Sequence, residues 1–326
     1  MKGLFRALSL ILPALALLVI VFGAFVRLTD AGLGCPDWPG CYGRMLVPEG
    51  MSDIHLDDAR WQARPLEIGK AWREMVHRYL AGILGLGICA MAAVANAARP
   101  SSSKAVIYAL VPLVVFQVVL GMWTVTLLLK PLVVVAHLLG GTVILILLWW
   151  NFLETEGIEG LDCDKGALPM LARLAILILI VQFFLGGWTS ANYAALACTD
   201  FPLCQGQWWP EMDFGGGFTL WRGLGIDYEF GVLETPARTA VHVAHRVGAT
   251  IVTALTLGVV ALGLRSDSRR LRRVAWCILA ALAFQLAMGV TNVLGGLPLA
   301  AAVAHNAGAA LLSISLITLV YLTRRN

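Results

Sequence analysis

The stretch GAFVRLTDAGLGCPDWPGCYG, which runs from Gly23 to Gly43, returns in altered form as GGWTSANYAALACTDFPLCQG from Gly186 to Gly206. Each copy follows a long apolar run, and the two copies align without a gap. At a constant offset of 163 positions, the residues with an identical counterpart are Gly23, Ala31, Leu33, Cys35, Asp37, Pro39, Cys41 and Gly43. A pattern that recurs at one long spacing indicates that a structural unit occurs twice along the chain.

Further matches extend this repeat at an offset of 168 positions. The matched pairs are His77-Arg78 with His245-Arg246, Phe116-Gln117 with Phe284-Gln285, Gly121 with Gly289, Ala136-His137 with Ala304-His305, and Gly140 with Gly308. The five-position difference between the two offsets falls in long loops, where insertions are tolerated. We therefore expect each half of the chain to be one complete unit.

The composition indicates a membrane protein. Of the 326 residues, 59% are hydrophobic and 13% are charged, whereas about a quarter of a soluble domain is charged. The mean hydropathy is +0.79. A spanning helix needs about 20 apolar residues, and eight runs meet this requirement, at about 8–27, 75–98, 105–128, 131–153, 172–191, 240–264, 274–294 and 299–322.

The first run is long and has a counterpart inside the chain, so we do not expect a cleaved signal peptide. The small net charge of +4 does not suggest nucleic-acid binding.

Basic residues outside the apolar runs predict the orientation of the chain. With eight spans, eleven basic residues near the ends of the runs fall on one side, which the positive-inside rule assigns to the cytoplasm. These residues are Lys2, Arg6, Arg99, Lys104, Arg265, Arg269, Arg270, Arg272, Arg273, Arg324 and Arg325. Both termini are then cytoplasmic.

The predicted fold class is an all-α membrane protein with eight transmembrane helices, arranged as two tandem, pseudo-symmetric four-helix bundles. We expect an N-terminal bundle over 1–153, a cytoplasmic linker over 154–171 and a C-terminal bundle over 172–326. Because each unit has an even number of spans, the two units run in the same sense about an axis along the membrane normal.

Four of the six histidines are related by the repeat and lie near the outer ends of the even-numbered runs. They are His77, His137, His245 and His305. Ionisable side chains at membrane depth are rare and usually face the bundle interior. The second and fourth helices of an up-down bundle are diagonal, so each pair of histidines can hold one iron porphyrin between them. Hydrogen bonds between helices are the alternative role for these histidines. A zinc or copper site is a weaker alternative, because no Cys, Asp or second His lies at metal-ligand spacing inside a run.

Glu74 stands three residues before His77, so the two side chains share one face of a helix. The counterpart of Glu74 is His242, one turn before His245, so the two halves differ at this position. We predict that Glu74 does acid–base or electrostatic work, with a stabilising carboxylate at a helix N-terminus as the alternative.

Three arginines lie close to the predicted ligands and are candidate partners of heme propionates, because a guanidinium group matches a carboxylate in a bidentate way. They are Arg27, Arg78 and Arg246. Anchoring at the membrane interface is the alternative role.

Two pairs of cysteines, each six positions apart, lie in outer loops. They predict the disulfides Cys35–Cys41 and Cys198–Cys204 in an oxidising compartment, with a redox-active dithiol as the alternative. Cys89, Cys163 and Cys277 have no repeat partner, and we expect structural roles for them.

The chain resembles the heme A synthase family in a set of motifs that cover nearly its whole length in order. They are RLTDAGLGCPDWPGC at 27–41, EMVHR at 74–78, FQVVLGMWTV at 116–125, AHLLGG at 136–141, CTDFPLC at 198–204, AHR at 244–246 and AHNAGAA at 304–310. The resemblance implies an oxidoreductase that converts heme O to heme A by oxidising a porphyrin methyl group to a formyl group. The heme A then serves terminal cytochrome oxidases.

The resemblance also implies roles for individual residues. His77 and His137 would hold the substrate heme O, Glu74 would be the essential carboxylate near the reacting methyl group, and His245 and His305 would ligate a heme b. The family commonly has glutamine where this chain has His242. The implied setting is a bacterial inner membrane, and the implied partners are a heme O synthase, an electron donor, and cytochrome oxidase or its assembly factors.

Two other functions compete with this one. A diheme b-type membrane cytochrome that takes electrons from quinol would have equivalent histidine sites in both halves and no need for Glu74. A heme carrier without chemistry would release its heme unmodified.

Overall fold

The computed structural model describes residues 1–50, 54, 64–98, 104–161 and 166–324. His55, Arg99, Cys163 and Arg325, together with part of the predicted linker, lie outside the described residues. The described chain is helical, with eight long helices. They are α1 (Lys2–Leu28), α2 (Ile68–Ala98), α3 (Lys104–Thr126), α4 (Pro131–Thr155), α5 (Ala167–Ala191), α6 (Thr235–Leu264), α7 (Arg269–Leu294) and α8 (Leu299–Leu322). A one-turn helix, Phe214–Gly217, lies in the loop before α6.

All eight long helices have the length and hydropathy of membrane spans, so the predicted all-α class and the predicted number of spans are confirmed. Several predicted ends were wrong. For example, α2 begins at Ile68 and α7 at Arg269, several residues before the apolar runs. Long polar side chains can lie at the membrane interface while the backbone stays helical, so the helix extends beyond its apolar part. In contrast, α3 ends early because Leu128 and Leu129 have φ angles of +49° and +58°, outside the helical region.

The helices pack as two closed rings. Within each ring consecutive helices are in contact and the last helix contacts the first: α1, α2, α3 and α4 in one, and α5, α6, α7 and α8 in the other. As a result, α2 and α4 are diagonal to each other, as are α6 and α8. The rings meet through α1 with α8, α4 with α5, and α4 with α8.

Apolar side chains fill the inner end of each ring. In the first ring Ile88, Ile107, Leu145 and Leu148 are fully buried together, and a matching cluster lies in the second ring. The histidines lie in the other half of each ring, toward the long loops, and all four are only half-buried. The buried apolar core of each bundle therefore lies at one end, and the half-buried histidines lie toward the other.

The long loops carry two disulfide hairpins of the same geometry. The structure forms both predicted disulfides, Cys35–Cys41 and Cys198–Cys204. In the first hairpin the Asp37 carboxylate accepts the N–H groups of Tyr42 and Gly43 at 2.7 and 2.8 Å.

In the second hairpin Asp200 accepts the N–H groups of Gln205 and Gly206 at 2.7 and 2.8 Å. The Gly206 N–H lowers the pKa of the Asp200 carboxyl group. Gly43 and Gly206 have φ angles of +76° and +74°, which glycine adopts at no steric cost. These bonds explain why aspartate and glycine recur at the same positions of the repeat.

Thiol labelling tests the two hairpins. In unreduced protein unfolded in denaturant, Cys35, Cys41, Cys198 and Cys204 should stay unmodified by a maleimide, because their sulfur atoms are paired. Cys89 and Cys277, which are free, should react and serve as the internal control. Peptide mapping by mass spectrometry gives the readout, and labelling of all four hairpin cysteines without a reductant would contradict the pairing.

Candidate functional site

The four repeat-related histidines lie at a similar depth in the bundles. His137 and His305 are six residues after the first residues of α4 and α8, Pro131 and Leu299. His77 and His245 are nine and ten residues after the first residues of α2 and α6. At a rise of about 1.5 Å per residue, these positions lie roughly 9–15 Å along their helices. One diagonal pair of helices therefore carries two imidazoles at one level in each ring.

Each imidazole packs against a glycine on a neighbouring helix. A Cβ atom at Gly23, Gly121, Gly186 or Gly289 would lie 2.8, 3.4, 3.1 or 3.1 Å from the Cε1 atom of His77, His137, His245 or His305 respectively. Even alanine would push into the ring at three of these positions. These glycines are identical between the halves because a side chain there would take the space of a histidine ring.

The Nδ1 atoms of the histidines have different surroundings in the two halves. In the C-terminal half, His245 Nδ1 lies 2.9 Å from the amide of Gln182, and His305 Nδ1 lies 3.1 Å from the carbonyl oxygen of Gln285. In the N-terminal half, the Nδ1 atoms of His77 and His137 are buried and hydrogen-bond to no protein group in the described part of the chain.

Glu74 is held at the edge of the N-terminal histidine pair. The residue is 4% exposed, one carboxylate oxygen accepts the N–H of Cys35 at 2.8 Å, and the other pairs with the Arg78 guanidinium. His242, the counterpart, is equally buried, and its Nδ1 lies 3.0 Å from the carbonyl oxygen of Ala194. These equivalent positions therefore carry Glu74, which accepts a loop N–H in the N-terminal half, and His242, which donates to a loop carbonyl oxygen in the C-terminal half.

Arg78 and Arg246 hold the disulfide hairpins against the bundles. Arg78 donates to the carbonyl oxygens of Asp37, at 3.0 Å, and of Gly40. Arg246 donates to those of Asp200 and Leu203 at 2.8 and 2.7 Å. Both pairs of acceptors are repeat-equivalent.

Arg27 lies at the border of the two halves. It donates to the carbonyl oxygen of Ser190 at 2.6 Å, and its guanidinium lies 4.1 Å from the centre of the Tyr193 ring. The Tyr193 hydroxyl donates to Asp30 at 3.0 Å. Positions 27 and 190, and 30 and 193, are equivalent in the repeat, so equivalent positions touch at this border. Propionate pairing by Arg27, Arg78 and Arg246 stays a prediction, because all three also bind protein groups.

The residues present fit a porphyrin in each half. Each diagonal pair presents two imidazoles, the helices beside the rings carry glycine, and buried amide atoms without a partner lie nearby, on Gln117 and Gln285. Bundle cores commonly hold such cofactors between facing helices. A flat ligand with iron at its centre would use the imidazoles as axial ligands.

Gln182, which contacts His245, is a site residue that the sequence pattern did not indicate. This residue lies in the apolar run of α5 and has no glutamine at the equivalent position of α1, so the repeat did not mark it. A single amide side chain inside an apolar span was the feature that could have indicated this residue, because polar side chains at that depth usually contact another buried group.

Comparison with known proteins identifies a family and relatives that match nearly the whole chain. A family described as cytochrome oxidase assembly protein (COX15-CtaA) matches residues 6–317. The chain belongs to this family. A heme A synthase of Shewanella oneidensis is 43% identical over 307 residues, which cover 94% of this chain and 92% of that protein. Heme A synthases of Sphingopyxis alaskensis and of a Caulobacter species (strain K31) are 28% and 27% identical, each over 98% of this chain. The match to the COX15-CtaA family therefore includes both bundles and both hairpins.

Arg78 and Arg246, which are both half-buried, make a matched pair for a test of the hairpins. Lysine at position 78 keeps the charge but loses the forked geometry, so Arg78→Lys should speed hydrogen exchange of the backbone amides at 35–44 by tenfold or more, about 1.4 kcal/mol. Amides at 198–207 should not change. Arg246→Lys should give the reverse pattern, and a response of both hairpins to each variant would contradict this prediction.

Proposed function

We propose that this chain is a heme A synthase, a membrane oxidoreductase that converts heme O to heme A for cytochrome oxidase by oxidising a methyl group to a formyl group. The observation that carries the activity is the 43% identity to a named heme A synthase over 92% of that protein's length. The two pairs of inward imidazoles, each with glycine beside the rings, supply sites suited to heme.

In this proposal the two halves are pseudo-symmetric domains with different tasks. The N-terminal bundle, 1–153, holds the substrate heme O between His77 and His137. The C-terminal bundle, 172–326, holds a heme b between His245 and His305. Contacts between equivalent positions at the border, such as Arg27 with Ser190, support an axis that relates the halves.

Glu74 is the catalytic carboxylate of this proposal. Cys35 and Arg78 fix its two oxygens, so the group is in place before the substrate binds. A preorganised charge stabilises a charge that develops in the transition state without further reorganisation. The carboxylate would stabilise positive charge at the oxidised carbon or steer a water molecule to it.

The iron porphyrins, once bound, supply the oxidising chemistry and the path for electrons. The protein ligates and orients them, and it keeps the reacting methyl group beside the carboxylate. A diheme cytochrome that only transfers electrons needs no such difference between its halves, whereas this chain has Glu74 in one half and His242 in the other. This asymmetry favours the enzyme over the electron carrier.

The proposed setting is the bacterial inner membrane, with both termini in the cytoplasm and the disulfide hairpins on the oxidising side. The basic residues at the ends of α1, α7 and α8 support this orientation through the positive-inside rule. The proposed partners are a heme O synthase that delivers the substrate, an electron donor, and cytochrome oxidase or its assembly factors.

Ligation in the C-terminal half is tested by replacing its histidines. His245→Ala and His305→Ala should each abolish the low-spin heme b spectrum of the purified protein, because two axial imidazoles are needed for that state. Membrane insertion should be unchanged, which detergent extraction and gel filtration would check. An unchanged heme b spectrum in both variants would rule out this pair of ligands.

The role of Glu74 is tested by Glu74→Gln, which keeps the size of the side chain and one acceptor oxygen but removes the charge and the second acceptor. Loss of one preorganised electrostatic group costs about 3–4 kcal/mol in the transition state, so heme A should fall by two or more orders of magnitude. Pigment extraction and mass analysis, after co-expression with a heme O source, should show heme O or a partly oxidised heme.

A matched control for this variant is Glu67→Gln, which changes an exposed carboxylate that forms a surface ion pair with Lys70. Heme A should form at the normal rate in this control, and the C-terminal heme b should be intact in both proteins. A normal rate in Glu74→Gln would instead leave the carboxylate with a structural role.

A further inference from the structure

A loop segment of the C-terminal half, which we call the outer strap (221–230), packs against the N-terminal half. Tyr228 in this segment is 3% exposed, and its backbone N–H donates to the carbonyl oxygen of Leu128 at 3.1 Å. The Tyr228 side chain is buried in an apolar cluster with three residues of the N-terminal half, Leu33, Val125 and Leu129. The outer strap is therefore held by the half to which it does not belong.

Arg64 of the N-terminal half pairs with the outer strap by charge. Its two terminal guanidinium nitrogens lie 2.6 Å from a carboxylate oxygen of Asp227 and 2.7 Å from one of Glu229, and its side chain is 20% exposed. A reversed charge at position 64 would place three carboxylates together. Because like charges at this distance repel, that change should push the strap away from the N-terminal half.

Lys130 of the N-terminal half is covered by the outer strap. The residue directly precedes α4 and is 2% exposed. Its ammonium nitrogen lies 3.0 Å from the centre of the Trp221 ring and donates to the carbonyl oxygen of Gly223. A lysine is almost never fully buried unless it is paired, and both of these groups belong to the strap. Movement of the strap should therefore expose the Lys130 amine.

The contacts of the outer strap are spread over the end of the N-terminal ring that faces the long loops. Leu33 follows the last residue of α1 by five positions, and Arg64 precedes the first residue of α2 by four. Val125 lies in the last turn of α3, and Lys130 directly precedes α4. The strap thus contacts this end of each helix in the ring. His137 is seven residues after Lys130, which is roughly 10 Å along α4, so the strap lies on the outer side of the histidine pair.

We infer that the outer strap closes the substrate heme site of the N-terminal half toward the outer aqueous phase. The inference rests on the proposed function, which assigns heme O to His77 and His137. A closed site keeps water away from reactive intermediates, and it slows the loss of bound heme to the outside. The C-terminal half thereby completes a site whose two proposed ligands belong to the other half.

Amine labelling tests the position of the strap without any heme. In the purified full-length protein, Lys130 should react with an acylating reagent at least tenfold more slowly than it does in denaturant. Arg64→Glu should raise the rate in the folded protein by tenfold or more. A triple variant that adds Asp227→Arg and Glu229→Arg to Arg64→Glu restores opposite charges, so it should restore the protection of Lys130. Peptide mapping by mass spectrometry gives the rates.

The matched control is Arg6→Glu, which reverses an arginine at the inner end of α1. Arg6 forms a similarly close pair with Glu156, at 2.7 Å, but this pair lies far from the outer strap. Arg6→Glu should leave Lys130 protected. A general loss of folding would expose Lys130 in the control as well, and reversed charges on the strap could not correct it.

Heme transfer to apomyoglobin, a water-soluble acceptor, tests the closure of the heme site. The full-length protein is loaded with heme O, and mass analysis separates heme O from heme b in the acceptor. Heme O should leave about ten times faster in Arg64→Glu than in the unchanged protein or in Arg6→Glu, and the triple variant should restore the slow rate. Heme b should leave at the same rate in all four proteins, because Arg64 holds the strap against the N-terminal half.

The outcomes separate the inference from the proposed function. If Lys130 stays protected in Arg64→Glu, or if it reacts while the release of heme O is unchanged, the inference is wrong. Faster labelling together with faster release of heme O, both restored in the triple variant, support it. Heme A formation by the unchanged protein tests the proposed function separately, since neither strap measurement depends on turnover.

Discussion

The absence of water inside a bilayer is the constraint on which this structure depends. Every backbone N–H and C=O at membrane depth must find a partner within the protein, and helices satisfy these groups internally. Many polar side chains in the bundles meet the same demand. Arg78 and Arg246 are half-buried, and the hairpin carbonyls and, for Arg78, the Glu74 carboxylate accept N–H groups of their guanidinium groups. The hairpins therefore lie beside the histidine sites and do not extend freely from the membrane.

The sequence predicted the number of spans, the ring of helices in each half and the positions of the disulfides. Apolar length and the repeat were enough for this, because both are properties of the chain itself. The helix ends were less predictable, since the polar first turns of α2 and α7 are helical without being apolar. The early end of α3 depends on the backbone angles of Leu128 and Leu129, which their residue types do not suggest.

Within the candidate site, the sequence singled out the residues that the repeat marks and Glu74, which breaks the repeat beside a histidine, but it did not indicate Gln182. His77, His137, His245 and His305 stood out because each has a counterpart. The repeated glycines were visible, but their contact with the rings was not, because it joins residues on different helices. Gln182 was invisible because its meaning comes from the Nδ1 atom of His245, which only packing brings near.

A repeated unit that must do two tasks can differ where a change leaves the packing intact. Position 74 and position 242 both bury a polar side chain against a loop backbone, so exchanging carboxylate for imidazole reverses the direction of the hydrogen bond and preserves the contact. Val19 and Gln182 occupy equivalent positions on α1 and α5. Glutamine in place of valine therefore adds an amide group to α5 at a position where α1 has an apolar side chain. The helices, glycines and hairpins stay alike, because they pack against the histidine rings and accept N–H groups of Arg78 and Arg246. The two halves therefore differ at a few side chains beside the histidines, such as positions 74 and 242, while the helices and hairpins around them are alike.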